Sequence, residues 1–401
     1  MDTPINSNKS LARRVKQHVI AGKHQFFAIV QPGFEVAVKK ELPEIGIDAV
    51  SEIVEGGIEF SSKLEGCYRV NLCSRTITRL LMRLMKFKIS RFNKMGRRVS
   101  KFPWELYLKA GSSVSFSIKC RHSKLYHTGR IGDEFIKAIS ARLDEYNSSV
   151  SFIEKADGEN SQVIFIRMEN DICQVSIDST GRPLYKRGHN KKVTPATLRE
   201  TLASLILFEA HVSSYDILID GMCGSGTFSM EAAEIYAGRI PSGKRDFAFM
   251  NWPSFKPAAF NYLKNKLLEK ENDQIPNRII VNDVDKDALS VAGDNLKSTG
   301  LFNLFDIMSV DFLREEIPFP RDKKCLIVLN PPYGGRLQKK NIDKFYRQLG
   351  NIVRSKYRNC GYAIISPGLE YEKILSLRYD KKILFMNGGI KVAVIIKYAI
   401  K

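Results

Sequence analysis

Asn330-Pro331-Pro332-Tyr333 follows an apolar run, Cys325 to Leu329, that reads as a buried parallel strand. Two successive prolines fix the backbone and remove two donors. The Asn330 side-chain oxygen and the Pro331 carbonyl are left as acceptors at the C-terminal end of a strand, where open α/β sheets hold their ligands. Two adjacent acceptors can grip both hydrogens of an exocyclic amine and aim the nitrogen lone pair. Tyr333 can stack on the base that carries it. The same tetrapeptide is also compatible with a plain Asn-Pro turn.

A second stretch lies upstream, Ile217-Leu218-Ile219-Asp220-Gly221-Met222-Cys223-Gly224-Ser225-Gly226-Thr227. An apolar run ends in an acid, and a glycine turn opens a helix, Phe228 to Ala237. Strand, tight turn and helix begin a nucleotide-binding α/β unit. Glycine lets the backbone approach a ligand closely and tolerates positive φ. No Gly-Lys-Ser/Thr follows, so this is not a P-loop, and the spacing is not Gly-x-Gly-x-x-Gly. An acid at a strand tip before Gly224-x-Gly226 suits a cationic ligand such as the sulfonium amino acid of S-adenosylmethionine. Asp283, at the tip of a strand over residues 278–281, is placed for ribose hydroxyls. Asp285 reads as the cap of the next helix, residues 286–298. Asp311, after a strand over 306–310, suits either an adenine amino group or an N-cap.

These residues need a large scaffold, and 401 residues are enough for two or three domains. The formal charge of +20 points to a polyanionic partner. No apolar run is long enough for a transmembrane helix, and no signal-peptide core opens the chain. Cysteines 67, 73, 120, 173, 223, 325 and 360 are scattered and odd in number. That pattern predicts reduced thiols in the cytoplasm and no zinc site. With six dispersed histidines, no metal is expected in catalysis.

Residues 1–24 read as a basic arm or short helix. Alternating strand and helix over 26–60 fits a ferredoxin-like unit. Residues 74–88 read as a helix, with Ile77, Leu80, Leu81 and Leu84 apolar and Arg75, Arg79 and Arg83 striped along one face. The first 150 residues hold 26 basic and 14 acidic side chains. From Arg69 to Lys101 there are eleven Lys or Arg and no Asp or Glu, including Lys86, Arg97 and Arg98. RNA phosphates are the economical partner for such clustering. A second α+β region spans residues 113–178. Pro195 opens a helix over 196–210. After the Gly loop, an insertion over 238–277 carries Lys244, Arg245, Phe247, Phe249, Trp252 and Phe255. It reads either as a loop for a splayed base or as a cover for one face of the sheet. Seven strands ending in an Asn387-Gly388 hairpin fit a doubly wound sheet with one antiparallel strand.

Taken together, Asp-x-Met-Cys-Gly-Ser-Gly-Thr, Asn-Asp-x-Asp and Asn-Pro-Pro-Tyr-Gly-x-Arg resemble the THUMP-domain class I RNA guanine-N2 methyltransferases, with a bias to the bacterial enzymes of large-subunit (23S) ribosomal RNA. The resemblance implies an α/β fold with a Rossmann-like, seven-stranded methyltransferase domain at 181–401. A ferredoxin-like region at 25–65 and a THUMP RNA-binding domain at 66–180 would precede it. It implies S-adenosyl-L-methionine as cofactor, contacted by Asp220, Cys223, Gly224, Ser225, Gly226, Thr227, Asp283 and Asp311. Asn330, Pro331, Pro332 and Tyr333 would take the base, and RNA would meet the basic residues named above. Gly221 stands where the family usually has Pro and should loosen the turn. A transfer-RNA enzyme, a DNA adenine-N6 methyltransferase and a non-catalytic RNA-binding protein are the competing expectations.

Overall fold

The computed structural model describes residues 8–48, 51–155, 161–188, 191–192, 197–272, 274–332 and 339–399. The chain divides into two compact units. One gathers residues up to Ile29, Leu42–Leu184 and Lys244–Asn265; the other gathers Val30–Glu41, Tyr185–Gly243 and Lys266 onward.

Through residue 178 the elements are α1 (Asn8–Val15), β1 (His24–Ile29), α2 (Glu35–Glu44), β2 (Ser51–Val54), β3 (Gly57–Ser62), α3 (Leu64–Cys73), β4 (Arg79–Lys88), α4 (Phe92–Ser100), β5 (Ser113–Arg121), α5 (Thr128–Asp144), β6 (Ser151–Phe152), β7 (Ser161–Glu169) and β8 (Ile172–Asp178). The described strands form one sheet in the order β2-β3-β1-β4-β8-β7-β5-β6. The two α+β regions read from the sequence therefore share a single sheet. Strand β4 joins them, antiparallel to β1 on one side and to β8 on the other.

That strand corrects the helix expected over 74–88. Leu80, Leu81 and Met82 are all buried in succession. A central strand covered on both faces reads as a continuous apolar run, which periodicity does not separate from a helix. The arginine stripe changes meaning with it. Arg75 is buried, Arg79 pairs with the fully buried Asp178, and Arg83 holds Glu59 at 2.7 Å with its guanidinium 4.2 Å from the Phe27 ring. These three arginines support the sheet rather than face a partner. Lys86, Arg97 and Arg98 are exposed. The basic arm is partly structural as well: Val15 and Val19 are buried and Arg14 reaches Glu105 at 2.6 Å.

The 238–277 insertion also departs from both readings. Phe247, Phe249, Trp252 and Phe260 of this segment are buried in the core of the first unit. Phe249 lies 4.7 Å from Tyr68, ring to ring, with Phe255 and Phe260 closing the cluster. The Trp252 indole donates to Gln162 at 2.8 Å, and Gln162 donates to the Ala248 carbonyl at 2.9 Å. Arg245 donates to the Pro183 carbonyl at 2.9 Å.

The second unit contains α6 (Glu200–Glu209), β9 (Ile217–Asp220), α7 (Thr227–Tyr236), α8 (Pro257–Leu268, shared with the first unit), β10 (Arg278–Asn282), α9 (Lys286–Lys297), β11 (Phe305–Met308), β12 (Cys325–Leu329), α10 (Lys339–Lys356), β13 (Gly361–Ser366), α11 (Leu369–Leu375), β14 (Lys381–Asn387) and β15 (Ile390–Lys397). Its sheet runs β11-β10-β9-β12-β13-β15-β14. Only β15 among these strands runs against the others, pairing antiparallel with β13 and β14. The doubly wound sheet with one reversed strand is present as expected. Every residue of β9, β12 and β13 is buried. Helix α6 begins at Glu200, later than the sequence suggested. Among the described residues no helix is long and apolar enough to cross a membrane.

The Arg79–Asp178 pair yields a direct test. Arg79→Met should cost about 3–5 kcal/mol, because it strands a buried carboxylate. Arg98→Ala, at an exposed site, should stay within about 0.5 kcal/mol of wild type. Urea unfolding measures both, and equal small effects would show that the β4 arginines are not structural.

Candidate active site

Strands β9, β10 and β12 run parallel and adjacent, so their C-terminal tips and following loops converge. A cavity of about 630 Å³ opens there. It falls in the range of small-molecule sites, about 300–1,000 Å³. Cys223, Gly224, Ser225 and Thr227 form one wall, Asp283 and Asp285 a second, Asp311 and Phe312 a third, and Asn330 and Pro332 a fourth. Residues from all four stretches singled out in the sequence thus meet at one place. Thr197, Leu198, Val291, Leu313 and Phe345 also line it, and sequence reading assigned them no role in a site. They are common residue types without a motif, brought in by tertiary packing.

The glycine turn has the conformation its residues permit. Gly224 has φ 55° and Gly226 φ 77°, both left-handed, and Gly226 is the N-cap of α7. Asp283 accepts from the Gly224 N–H at 2.9 Å with one oxygen, and from the Asp285 N–H at 3.0 Å with the other. Asp285 caps α9 by accepting from Asp287 and Ala288. Asp311 accepts from the Leu313 N–H at 3.0 Å and pairs with Arg314 at 3.1 Å while still lining the cavity. Gly221 is closely packed. A Cβ there would come within 2.7 Å of Leu329 and 2.8 Å of Phe312, so close packing holds the position.

Asp220 is the main correction. It does not line the cavity but lies beneath the loop, 1% exposed. One carboxylate oxygen accepts from the Ser229 N–H at 3.2 Å and the Ser229 hydroxyl at 2.7 Å, so it caps the first turn of α7 from the preceding strand. Its other oxygen is buried without a hydrogen-bond partner among the described residues. Gly226 and Pro331 likewise stand behind the wall, and Tyr333 lies outside the described residues. Burial pushes the Cys223 thiol far up, so it is a neutral wall group and no nucleophile.

The walls fit a nucleoside cofactor on two observations. The glycine backbone is open to close approach, and Asp283 and Asp285 stand at the tip of β10. They also fit an amine-bearing target. The Asn330 side-chain oxygen is buried at the end of β12 with no hydrogen-bond partner among the described residues, on a residue that lines the same cavity. An acceptor left this way is costly unless a donor arrives.

Burial pushes the Asp220 carboxyl up to about 7, against the pull of its Ser229 bonds, with a smaller upward push from Asp283. The unfolded chain keeps an ordinary value of about 4. Folding therefore takes up a proton between these values, and this contribution to stability is lost as pH rises from about 4 to 7. Asp220→Asn cannot titrate. The melting temperature of wild type minus that of Asp220→Asn should be larger at pH 5 than at pH 8. A difference independent of pH would remove the buried acid from this account.

Comparison with known proteins agrees with the site. A family model described as the RMKL-like methyltransferase domain matches residues 187–395, and one described as the RlmL ferredoxin-like domain matches residues 25–81. A Synechocystis protein provisionally named an RNA methyltransferase is 27% identical over 371 residues, covering 91% of this chain and 94% of that protein. The ribosomal RNA large subunit methyltransferase K/L of Marinomonas is 26% identical over 367 residues, covering 90% of this chain and 50% of its own length. The chain thus spans about half the length of that K/L relative. A solved structure provisionally described as a methyltransferase, complexed with S-adenosylhomocysteine, superposes with a TM-score of 0.83 at 27% identity, over 94% of this chain and 99% of that one. The first model covers more than half of the chain, and its residues build the cavity: the chain belongs to the RMKL-like methyltransferase-domain family.

Proposed function

We propose that this protein uses S-adenosyl-L-methionine to methylate the exocyclic N2 of a guanine in RNA, with large-subunit ribosomal RNA as the substrate. The observation that carries this reading is the Asn330 oxygen, buried and without a hydrogen-bond partner among the described residues, on a residue that lines the same cavity as the glycine loop. The names of the relatives, RNA methyltransferase and ribosomal RNA large subunit methyltransferase, support the substrate class.

The cavity is too confined for a base within a helix, so the target nucleotide must leave its stack. Asn330 accepts one amine hydrogen and turns the nitrogen lone pair toward the glycine-loop side. Pro332 supplies an apolar wall, and Tyr333, next in the motif, would cover the ring. The bound cofactor supplies an activated methyl group. The protein's contribution is alignment and exclusion of water, with no side chain required as an obligatory general base. In this reading Cys223, Gly224, Ser225, Thr227 and Asp283, which line the cavity, hold the donor side, and Asp311, beside Phe312, takes the adenine amino group.

On the first unit, α4 presents a cationic face suited to phosphates. Met95 and Val99 are buried, while Arg91, Lys94, Arg97, Arg98 and Lys101 are exposed, and Lys86 is exposed on the preceding strand. The Arg130 guanidinium sits 4.1 Å from the Phe92 ring beside them. Tyr126, 62% exposed and 4.2 Å from the His127 ring, offers a base a stacking surface.

Three measurements test the reading. Incubation with labelled S-adenosylmethionine and separated unmodified large-subunit rRNA, small-subunit rRNA and transfer RNA should yield N2-methylguanosine in the large-subunit fraction, identified by mass. The same nucleoside in transfer RNA would change the substrate, and N6-methyladenine made in DNA would overturn the reaction. Asn330→Ala should lower turnover by about a hundredfold or more with cofactor affinity retained; unchanged turnover would remove Asn330 from the chemistry. Replacing Lys94, Arg97 and Arg98 together by Gln should flatten the dependence of log affinity on log salt by about two units. An unaltered slope would mean that RNA does not lie on α4.

A further inference from the structure

Asn295 lies on α9 and is 2% exposed. It does not line the cavity, yet it connects two segments that do or that lead to it. Its amide nitrogen donates to the Ser225 carbonyl at 2.9 Å and to the Lys192 carbonyl at 2.9 Å, and its oxygen accepts from the Lys192 N–H at 2.9 Å. Both donors and the acceptor are thus used within the protein. The Gly226 N–H, at the other end of the same peptide unit as the Ser225 carbonyl, donates to Cys223 at 2.9 Å. The Ser225–Gly226 peptide, which leads into the second left-handed glycine, is therefore held at both ends.

A second tie joins the same two segments. The Lys191 ammonium, on a side chain only 8% exposed, donates to the Thr227 hydroxyl at 2.7 Å and to Glu200 at 2.9 Å. The Thr197 hydroxyl stands 3.2 Å from that of Ser225. Thr197, Ser225 and Thr227 all face the cavity. A glycine-containing turn loses more conformational entropy than any other on becoming ordered. Side chains that hold it in its binding shape in advance lower that cost at the moment of binding.

We infer that Asn295 and Lys191 are positioning residues for the cofactor: together they preorganise the glycine loop and fasten Lys191 and Lys192 to it, so that they set cofactor affinity and not the chemical step or RNA affinity. This rests on the reading of the cavity as the S-adenosylmethionine site. Neither residue belongs to a motif, and each acts through residues that line the wall. Asn295→Asp keeps the volume but aims an acceptor at two carbonyls. Lys191→Met keeps the length but removes the donors.

The test is calorimetric titration of the full chain with S-adenosylmethionine, with steady-state kinetics on RNA at saturating cofactor. Each variant should weaken cofactor binding by about tenfold or more. At saturating cofactor kcat should return to within about threefold of wild type, with the KM for RNA unchanged. Lys191→Arg, which retains a cation and donors, should recover most of the affinity. Val353→Ala, in the core of the same unit and away from the cavity, serves as a control for general destabilisation. It should lower the melting temperature without moving cofactor affinity. If Asn295→Asp does not fold, Lys191→Met and its Arg counterpart carry the comparison. Unchanged cofactor affinity in the folded variants, or a loss equal to that of Val353→Ala at matched stability, would overturn this inference and leave the proposed function standing. A wild-type chain that binds no S-adenosylmethionine would overturn both.

Discussion

The buried side chain of Asn282 holds together the end of the sheet on which the site is built. Parallel strands splay at their tips, and their last backbone groups lose their neighbours as they do. Asn282 ends β10 and is fully buried. Its amide donates to the Gly221 carbonyl after β9 and to the Val310 carbonyl after β11, each at 3.0 Å, and accepts from the Val310 N–H at 2.8 Å. Its own carbonyl accepts from Cys223 at 2.9 Å. One side chain thereby ties three strand ends together while leaving the gap between them open. The cavity, the glycine loop and the Asp311 turn all hang from that knot.

Around it, buried charge is permitted only where a partner answers it. Arg187 and Glu231 are each about 3% exposed and meet at 3.1 Å, fixing the chain before α6 to α7. Asp220 has hydroxyl and amide donors on one oxygen and none on the other, so burial raises its proton affinity instead. The first unit follows the same rule: Glu59 and Asp178 take up Arg83 and Arg79, and Glu105 takes up Arg14 and Arg142. Net charge alone therefore overstates the surface available to a polyanion. On α4 and the end of β4, by contrast, Lys86, Lys94, Arg97 and Arg98 remain exposed.

The aromatic insertion teaches a similar lesson. Phe247, Phe249, Phe255 and Phe260 lie close in sequence to a nucleotide-binding loop, and basic residues accompany them. Their rings bury one another and Tyr68 instead. Apolar area of that size gains far more from a packed core than from an open loop. Proximity in sequence to a site says little about proximity in space once a segment can return to another unit.

Local order was readable from the chain itself. The strand–glycine–helix unit, the Asn-Pro-Pro strand end, the Asp285 cap and the final hairpin all depend on neighbours within a few residues, and spacing records such dependence directly. The reversed β15 followed from the same signals and from the rule that hairpins pair antiparallel. Tertiary structure alone decided the rest. It made a central strand of residues that share both helical and strand spacing, because burial on two faces erases the alternation that distinguishes them. It moved Asp220 from the cavity to the base of a helix and turned three arginines inward. It also recruited Asn282, Asn295, Lys191 and Thr197, each of which has a partner between 28 and 103 residues away. Hydrogen bonds over such separations depend on how strands and helices pack, and no local pattern encodes them.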